Sequence, residues 1–404
     1  MQPKKVIQRL SDLPTMPSTI GTMVWNETGD WRYLTPLIRN KLAPCSQACP
    51  AGIPIPVYLG ALKKGDVQRA LTLLLSHNPL PGLTGRLCYH PCQAKCVRRK
   101  MDRAVSVQDI ERFLTDVGEE AKIEKSETSD KRVVVIGSGP LGLSCAFHLG
   151  CRGCQVVVLD PSNQAGGALL EVPSEKVEPQ VLANEINRLI LLADIRLETG
   201  AVIDFEAPGE LLSKADLIIL DPTGIPENFA VPAQATAFNP SEDETVTGDI
   251  IFVTLPKSLK PFRASMIAHY IAVGRLTAEK ALDRLVACSE EQGCTQPNPD
   301  LPRQSVNAED IKIERFSASD LSTEAEAKQA GTWDRERASQ EAERCLSCGT
   351  CNLCLQCVSF CPDASIGLDE QETAVVVDLD HCKGCGICAY ECPRGVITME
   401  ETIP

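Results

Sequence analysis

The sequence predicts a multidomain α/β protein: a helical N-terminal domain, a middle domain built on a parallel sheet, and a small C-terminal α+β domain. Three observations predict it. Two matched cysteine runs lie near the C-terminus, and a looser cysteine group lies near the N-terminus. Between them a buried-strand run leads into a glycine-rich turn and an apolar helix. The expected boundaries are an N-terminal extension over 1–40, a helical cysteine-bearing domain over 41–125, the middle domain over 126–295, a connecting segment over 296–344, and the C-terminal domain over 345–404.

The C-terminal runs carry the most specific chemistry. Cys351, Cys354, Cys357 and Cys361 are spaced C-x2-C-x2-C-x3-C and followed by Pro362; Cys382, Cys385, Cys388 and Cys392 repeat the spacing before Pro393. This is the bacterial-type ferredoxin pattern for two [4Fe-4S] clusters, in which the fourth cysteine of each run ligates the other cluster. Cys351, Cys354 and Cys357 therefore pair with Cys392, and Cys382, Cys385 and Cys388 with Cys361. Gly384 and Gly386 let the loop backbone curl close to the inorganic sulfurs. Zinc is the competing guest, but it takes four ligands per site at wider spacing. Cys345-Leu-Ser-Cys348-Gly precedes the first run in the same period of three, which leaves a slipped ligand frame open.

Composition sets the outer limits. A chain of 404 residues has room for two to four domains, and 43% hydrophobic content is ample for globular cores. Residues 1–31 show no apolar leader, so twenty cysteines read as metal ligands in a reducing cytoplasm rather than as disulfides. No run approaches the length of a membrane span. The formal charge of −14 and 4% aromatic content argue against nucleic acid as a partner.

The N-terminal group reads Cys45-x3-Cys49-Pro50, then Gly85-Arg86-Leu87-Cys88-x3-Cys92-x3-Cys96. Between the two parts Val57, Leu59, Leu62, Val67, Ala70, Leu71 and Leu74 recur at helical spacing, predicting short helices over 55–76. Asn78-Pro79-Leu80-Pro81-Gly82 then breaks the pattern. By spacing alone these cysteines are a metal site or a set of buried thiols.

In the middle domain Arg132–Ile136 is a buried-strand run leading into Gly137-Ser-Gly139-Pro140-Leu-Gly142 and a helix through Leu149. A second strand, Gln155 to Leu159, ends at Asp160. This is the Rossmann-like dinucleotide fingerprint in full context. The glycines permit a tight turn and close approach to a diphosphate, the helix N-terminus adds its partial positive charge, and Asp160 is placed to accept from a ribose hydroxyl. An unliganded relic of the fold is the alternative. Cys151-Arg-Gly-Cys154 has the spacing of a redox dithiol, but it falls in a helix-to-strand turn.

From about residue 43 to 345 the chain resembles the glutamate synthase small subunit, whose N-terminal iron–sulfur domain dihydropyrimidine dehydrogenase also carries. The stretches CSQACPAGIPIPVYL, NPLPGLTGRLCYHPCQAKCVR and VSVQDIERFL carry the likeness. The resemblance implies two [4Fe-4S] clusters in this domain, using an additional C-x2-C upstream of Cys45. Residues 1–44 contain no cysteine. Cys345 and Cys348 are therefore expected to fold back and complete a cluster with Cys45 and Cys96. The second cluster would use Cys49, Cys88 and Cys92, and the resemblance places its fourth ligand at Glu111. The competing reading makes Glu111 a solvated helix residue paired with an arginine.

The resemblance also implies FAD in the middle domain, because Gly166-Gly167 matches the family's second glycine pair. Two departures stand against it. The family's A-T-G is here Asp221-Pro222-Thr223-Gly224, and its later glycine–aspartate corresponds to Thr254-Leu255. The family's inserted NADPH-binding domain is missing, since a spacer of little more than twenty residues follows Gly224 where such a domain needs about 100 or more. No second glycine fingerprint occurs.

The expected function is that of an electron-transfer subunit, with four [4Fe-4S] clusters and one FAD relaying electrons among other redox subunits of a larger complex. A self-sufficient NAD(P)H-dependent oxidoreductase and a structural wiring subunit without flavin are the alternatives.

Overall fold

The computed structural model describes residues 27–118, 122–123, 125–226, 229–240, 249–287 and 333–401. Cys288, Cys294 and residues 296–332 of the connecting segment lie outside them.

After a 3-10 turn at Gly29–Trp31 comes β1 (Leu34–Ile38). Short helices follow: α1 (Pro44–Ala48), α2 (Ile55–Lys63), α3 (Val67–Leu75), α4 (Pro81–Leu87), α5 (Pro91–Ala94) and α6 (Val107–Val117). Proline stands in the first turn of α1, α2, α4 and α5, where its missing N–H costs nothing and its fixed φ starts the helix. Asp66 caps α3, accepting from Arg69 N at 2.8 Å. Leu59, Leu62, Val67, Ala70, Leu71 and Leu74 are buried as the apolar spacing predicted, but Val57 is corrected: it is 51% exposed, and its neighbour Tyr58 takes the buried face. Pro79 to Gly82 breaks the helical run and at once begins α4, which leads to Cys88.

The parallel-sheet region contains β2 (Arg132–Ile136), α7 (Pro140–Cys151), β3 (Gln155–Asp160), α8 (Pro179–Ala193), β4 (Arg196–Thr199), α9 (Glu210–Ser213), β5 (Leu217–Leu220), β6 (Thr236–Phe238) and β7 (Ile250–Val253). The sheet order is β4-β3-β2-β5-β7-β6, and every pair is parallel. The chain winds outward from β2 to β4, then returns to β5 on the other side of β2. That reversal creates the crevice where this fold holds its ligands. Helix α10 (Ile267–Ala287) packs so closely on α7 that a Cβ at Gly274 would lie 2.3 Å from the Leu141 carbonyl oxygen. Helix α11 (Arg335–Glu343) buries Ala338 and Ala342.

The last elements are α12 (Gln356–Ser359), β8 (Ile366–Leu368), β9 (Val375–Val377), α13 (Ile387–Glu391) and β10 (Ile397–Glu401). The chain divides into two compact units, one holding residues 40–350 and the other joining 351 onward to the segment before residue 40. In that second unit β1 pairs antiparallel with β10, from Leu34 opposite Glu401 to Ile38 opposite Ile397, while β8 pairs with β9. A segment read from sequence as an extension thus supplies a strand. Five residues with a central proline give too short a period for recognition, and Pro36 suits an edge strand.

Candidate metal centres and nucleotide fold

In the C-terminal unit the thiols line two cavities. Cys361, Cys382, Cys385 and Cys388 face one, walled by Pro36, Ile366 and Met399. Cys351, Cys354, Cys357 and Cys392 face another, walled by Ile38, Val375 and Val396. Each cavity takes three cysteines from one run and the last from the other. Cys345 and Cys348 line neither, and they lie in the other compact unit. The two loops share a backbone pattern: Leu353 and Leu355 (φ 55° and 59°) correspond in position to Gly384 and Gly386 (φ 69° and 78°). Left-handed residues at these points curl the chain around each cavity.

Burial pushes the Cys357 thiol up to about 11, with Cys392, Cys354 and Cys351 adding to it. Burial does the same to Cys388, with Cys382 and Cys385 contributing. Such thiols ionise when a cation compensates them. Cys354 and Cys385, the middle cysteine of each run, are exposed. Among the described residues no three His, Cys, Asp or Glu side chains close around a single ion. Four thiols at each largely apolar cavity suit iron–sulfur clusters.

The N-terminal cysteines gather in two groups within the larger unit. The Cys45 thiol is pushed well above its ordinary value by burial and then by Cys345, Cys348, Cys96 and Cys92. Cys345, Cys348, Cys96 and Cys92 are thus electrostatic neighbours of Cys45. A backbone contact ties the two segments: Lys41 N donates to Gly349 O at 2.8 Å.

Cys49, Cys88 and Cys92 form the other group. Burial raises all three, Cys88 to about 12, and the Glu111 carboxylate raises each further. Glu111 is 2% exposed, and its Oε2 accepts from Thr84 Oγ1 at 2.8 Å. The reading of Glu111 as a solvated residue paired with arginine is corrected: it is buried, and its basic neighbour is His90, with Nε2 at 3.8 Å. Helix α6 presents Glu111 on the face that also buries Ile110 and Leu114.

Sequence reasoning missed His90 and Tyr58. His90 adopts φ 49° between Cys88 and Cys92, its Nδ1 lies 2.7 Å from Cys88 O, and its buried Nε2 has no hydrogen-bond partner. Tyr58 is fully buried, its hydroxyl is unpartnered, and it feels the charges of Glu111, Cys92, Cys45 and Cys49. A histidine between two candidate ligands was a usable signal. Tyr58 was hidden because its helical spacing also describes an ordinary core residue.

In the Rossmann-like region Gly137, Gly139, Pro140 and Gly142 form the turn into α7, and Gly139 is its N-cap. Asp160 ends β3, yet its partners are internal. Its Oδ2 accepts from Ser138 N at 2.9 Å and from the Ser138 hydroxyl, and its Oδ1 from Ser162 N at 2.8 Å. Gly166 N donates to Ser138 Oγ at 2.8 Å. Gly167 lies so near that an added Cβ would sit 2.6 Å from Thr223 O and 3.0 Å from Gly139 Cα. Thr254 N donates to Phe238 O at 2.8 Å. Burial pushes Cys151 and Cys154 each up to about 11, so neither is an activated thiol.

Comparison with known proteins agrees with this division. The family described as dihydropyrimidine dehydrogenase domain II, 4Fe-4S cluster, matches residues 38–123. The NAD(P)-binding Rossmann-like domain matches 135–183, and the 4Fe-4S dicluster domain matches 350–396. The chain carries all three domains. The chain is 32% identical to the NADP(+)-dependent formate dehydrogenase subunit beta of Moorella thermoacetica, over 40% of its own length and 27% of that protein. It is 30% identical to the NADPH-Fe(3+) oxidoreductase subunit beta of Geobacter sulfurreducens, over 46% of the chain and 29% of the relative. It is 34% identical to the glutamate synthase [NADPH] small chain of Bacillus subtilis, over 43% and 36% respectively. The matched region thus spans about a third of these relatives or less. Among the described residues no helix is long and apolar enough to cross a membrane.

Proposed function

We propose that this chain is an electron-transfer subunit of a multisubunit oxidoreductase, carrying electrons through four [4Fe-4S] clusters. They would pass between a partner redox subunit and a ferredoxin- or NAD(P)-linked one. The ligand sets are Cys351, Cys354, Cys357 and Cys392; Cys382, Cys385, Cys388 and Cys361; Cys45, Cys96, Cys345 and Cys348; and Cys49, Cys88, Cys92 and Glu111. Bound clusters would supply one-electron chemistry. The chain's own part is to bury them, set nearby charge and direct hydrogen bonds to sulfur, which together tune their potentials.

The observation that carries this reading is that Cys345 and Cys348, with Cys96, are electrostatic neighbours of Cys45, which supports a thiol quartet that residues 1–44 alone would not supply. The exposed Cys354 and Cys385 support exchange with a partner at the surface. The relatives' names all include NADP(H), but no second glycine fingerprint is present here, so NADPH chemistry is assigned to a separate subunit.

The test is iron content in anaerobically purified Cys345→Ser, Cys348→Ser protein. We expect about four of sixteen irons to be lost; retention of the full complement would refute the fold-back ligands. Bleaching of the isolated chain by NADPH would favour the self-sufficient oxidoreductase instead. FAD is the nucleotide that the sequence resemblance implies for the Rossmann-like domain. The burial of Asp160 and Asp221 favours the second reading, in which that domain serves a structural role.

A further inference from the structure

A dinucleotide held by this fold rests its diphosphate on the helix after the first strand and its ribose on the acid ending the second. In this chain the groups that would receive them are satisfied from within. Asp221 stands at the end of β5, just before the positions of the family's A-T-G. Its Oδ2 accepts from Gly142 N, in the first turn of α7, at 2.9 Å. Its Oδ1 accepts from Thr223 N at 2.8 Å and Thr223 Oγ1 at 2.7 Å. A negative charge of the chain's own therefore occupies the helix terminus whose dipole and free N–H groups attract phosphate.

The ribose acceptor is closed in the same manner. An acid awaiting a ribose would keep an accessible oxygen in a chain without ligand, but Asp160, Asp221 and Ser138 are all 0% exposed. Ser138 Oγ joins the loops, donating to Asp160 and accepting from Gly166 N. Ala168 N donates to Thr223 O at 2.9 Å, holding the second glycine pair against the β5 loop. The three loops touch each other where a diphosphate would pass between them.

We propose that the chain itself closes its dinucleotide site, the Asp221 carboxylate standing in for the diphosphate, so that the Rossmann-like domain binds neither FAD nor NADPH. The domain acts as scaffold. Its Glu185, 3% exposed, accepts from Gly82 N at 2.7 Å at the start of α4, the helix that leads to Cys88. This goes beyond the proposed cluster relay, which does not depend on it.

The test uses the full chain purified anaerobically with its iron. Acid extraction should release less than about a tenth of a flavin per chain, and equilibrium dialysis should show no saturable uptake of FAD or NADPH up to about 100 μM. Hydrogen exchange at the Gly142 and Thr223 amides should be unchanged by added FAD. One FAD per chain, saturable uptake of either nucleotide, or FAD-dependent protection of those amides would each overturn the proposal. Iron analysis of the same sample separates the two readings: flavin with full iron sinks only the closed site, and absent iron sinks the relay.

Discussion

The guanidinium of Arg344 lies 3.0 Å from the carboxylate of Asp102, joining positions 242 residues apart. The same carboxylate accepts from Arg98 Nε at 2.8 Å. Glu341 accepts from Arg103 Nη1 at 3.0 Å and from Ser106 N at 2.8 Å. The network fastens the residues just after Cys96 to those just before Cys345. Burial works to raise Asp102, but Arg98, the Arg103 amide and Arg344 outweigh it and hold the carboxyl down at about 2.

Replacing Arg344 with alanine should therefore loosen the fold-back rather than the whole chain. The pair is only partly buried and Arg98 remains beside Asp102, so a cost of about 1–2 kcal/mol is expected, between that of an exposed and a buried pair. Iron at Cys45, Cys96, Cys345 and Cys348 should be lost first. Iron per chain against time in air, compared with the parent, checks this; equal retention would detach the network from cluster stability.

Glu111→Ala removes the carboxylate that raises Cys49, Cys88 and Cys92 together. On the proposed ligand set, its loss should leave a three-iron cluster, one iron fewer per chain, visible as a new paramagnetic signal in the oxidised protein. Glu111→Cys should restore four irons at a shifted potential. An alanine variant with unchanged iron and spectra would return Glu111 to a structural role.

The sign of the pH dependence follows from Asp221. Burial raises it to about 6 from 3.8, against hydrogen bonds from Thr223, Gly142 and Gly139 that lower it. The folded state then binds the proton more tightly than the unfolded state, so this group's contribution to stability is present at low pH and is lost as pH rises from 3.8 to about 6. Glu185, also raised by burial, acts in the same direction. Between pH 5 and 7.5 the parent should lose about 1–2 kcal/mol relative to Asp221→Asn, because each tenfold difference in proton affinity is worth about 1.4 kcal/mol. Denaturant midpoints at the two pH values measure it.

Much of this architecture was legible because its signals are local. Fixed cysteine spacing, the run Arg132–Ile136 before Gly137, and the apolar period of Leu59, Leu62, Leu71 and Leu74 each read from a short window. The fold-back of Cys345 and Cys348 was legible only as a missing pair elsewhere. What stayed hidden depends on distant partners. Asp221 is a plain acid in sequence, and only the return of β5 beside β2 carries it to the start of α7. Residues 34–38 become a strand only because Ile397–Glu401 offers a free edge.

That pairing makes Gly384 a sensitive loop position in the C-terminal unit. Its φ is +69°, and an added Cβ would fall 2.2 Å from the Leu34 carbonyl oxygen. Gly384→Ala combines a left-handed cost of about 1–2 kcal/mol with a backbone clash that no rotamer can relieve. It should push β1 away from β10 and empty the site of Cys361, Cys382, Cys385 and Cys388, removing about four irons. The equivalent position in the other run is Leu353, which already carries a side chain at φ 55° and packs against the unit's core. Leu353→Ala keeps the backbone geometry and loses only packing, about 1–3 kcal/mol for a partly buried leucine, so its cluster should remain. Iron analysis and the melting temperature of the two variants side by side decide the matter, because equal iron loss in both would mean that the β1 contact does not set the geometry of the Gly384 loop.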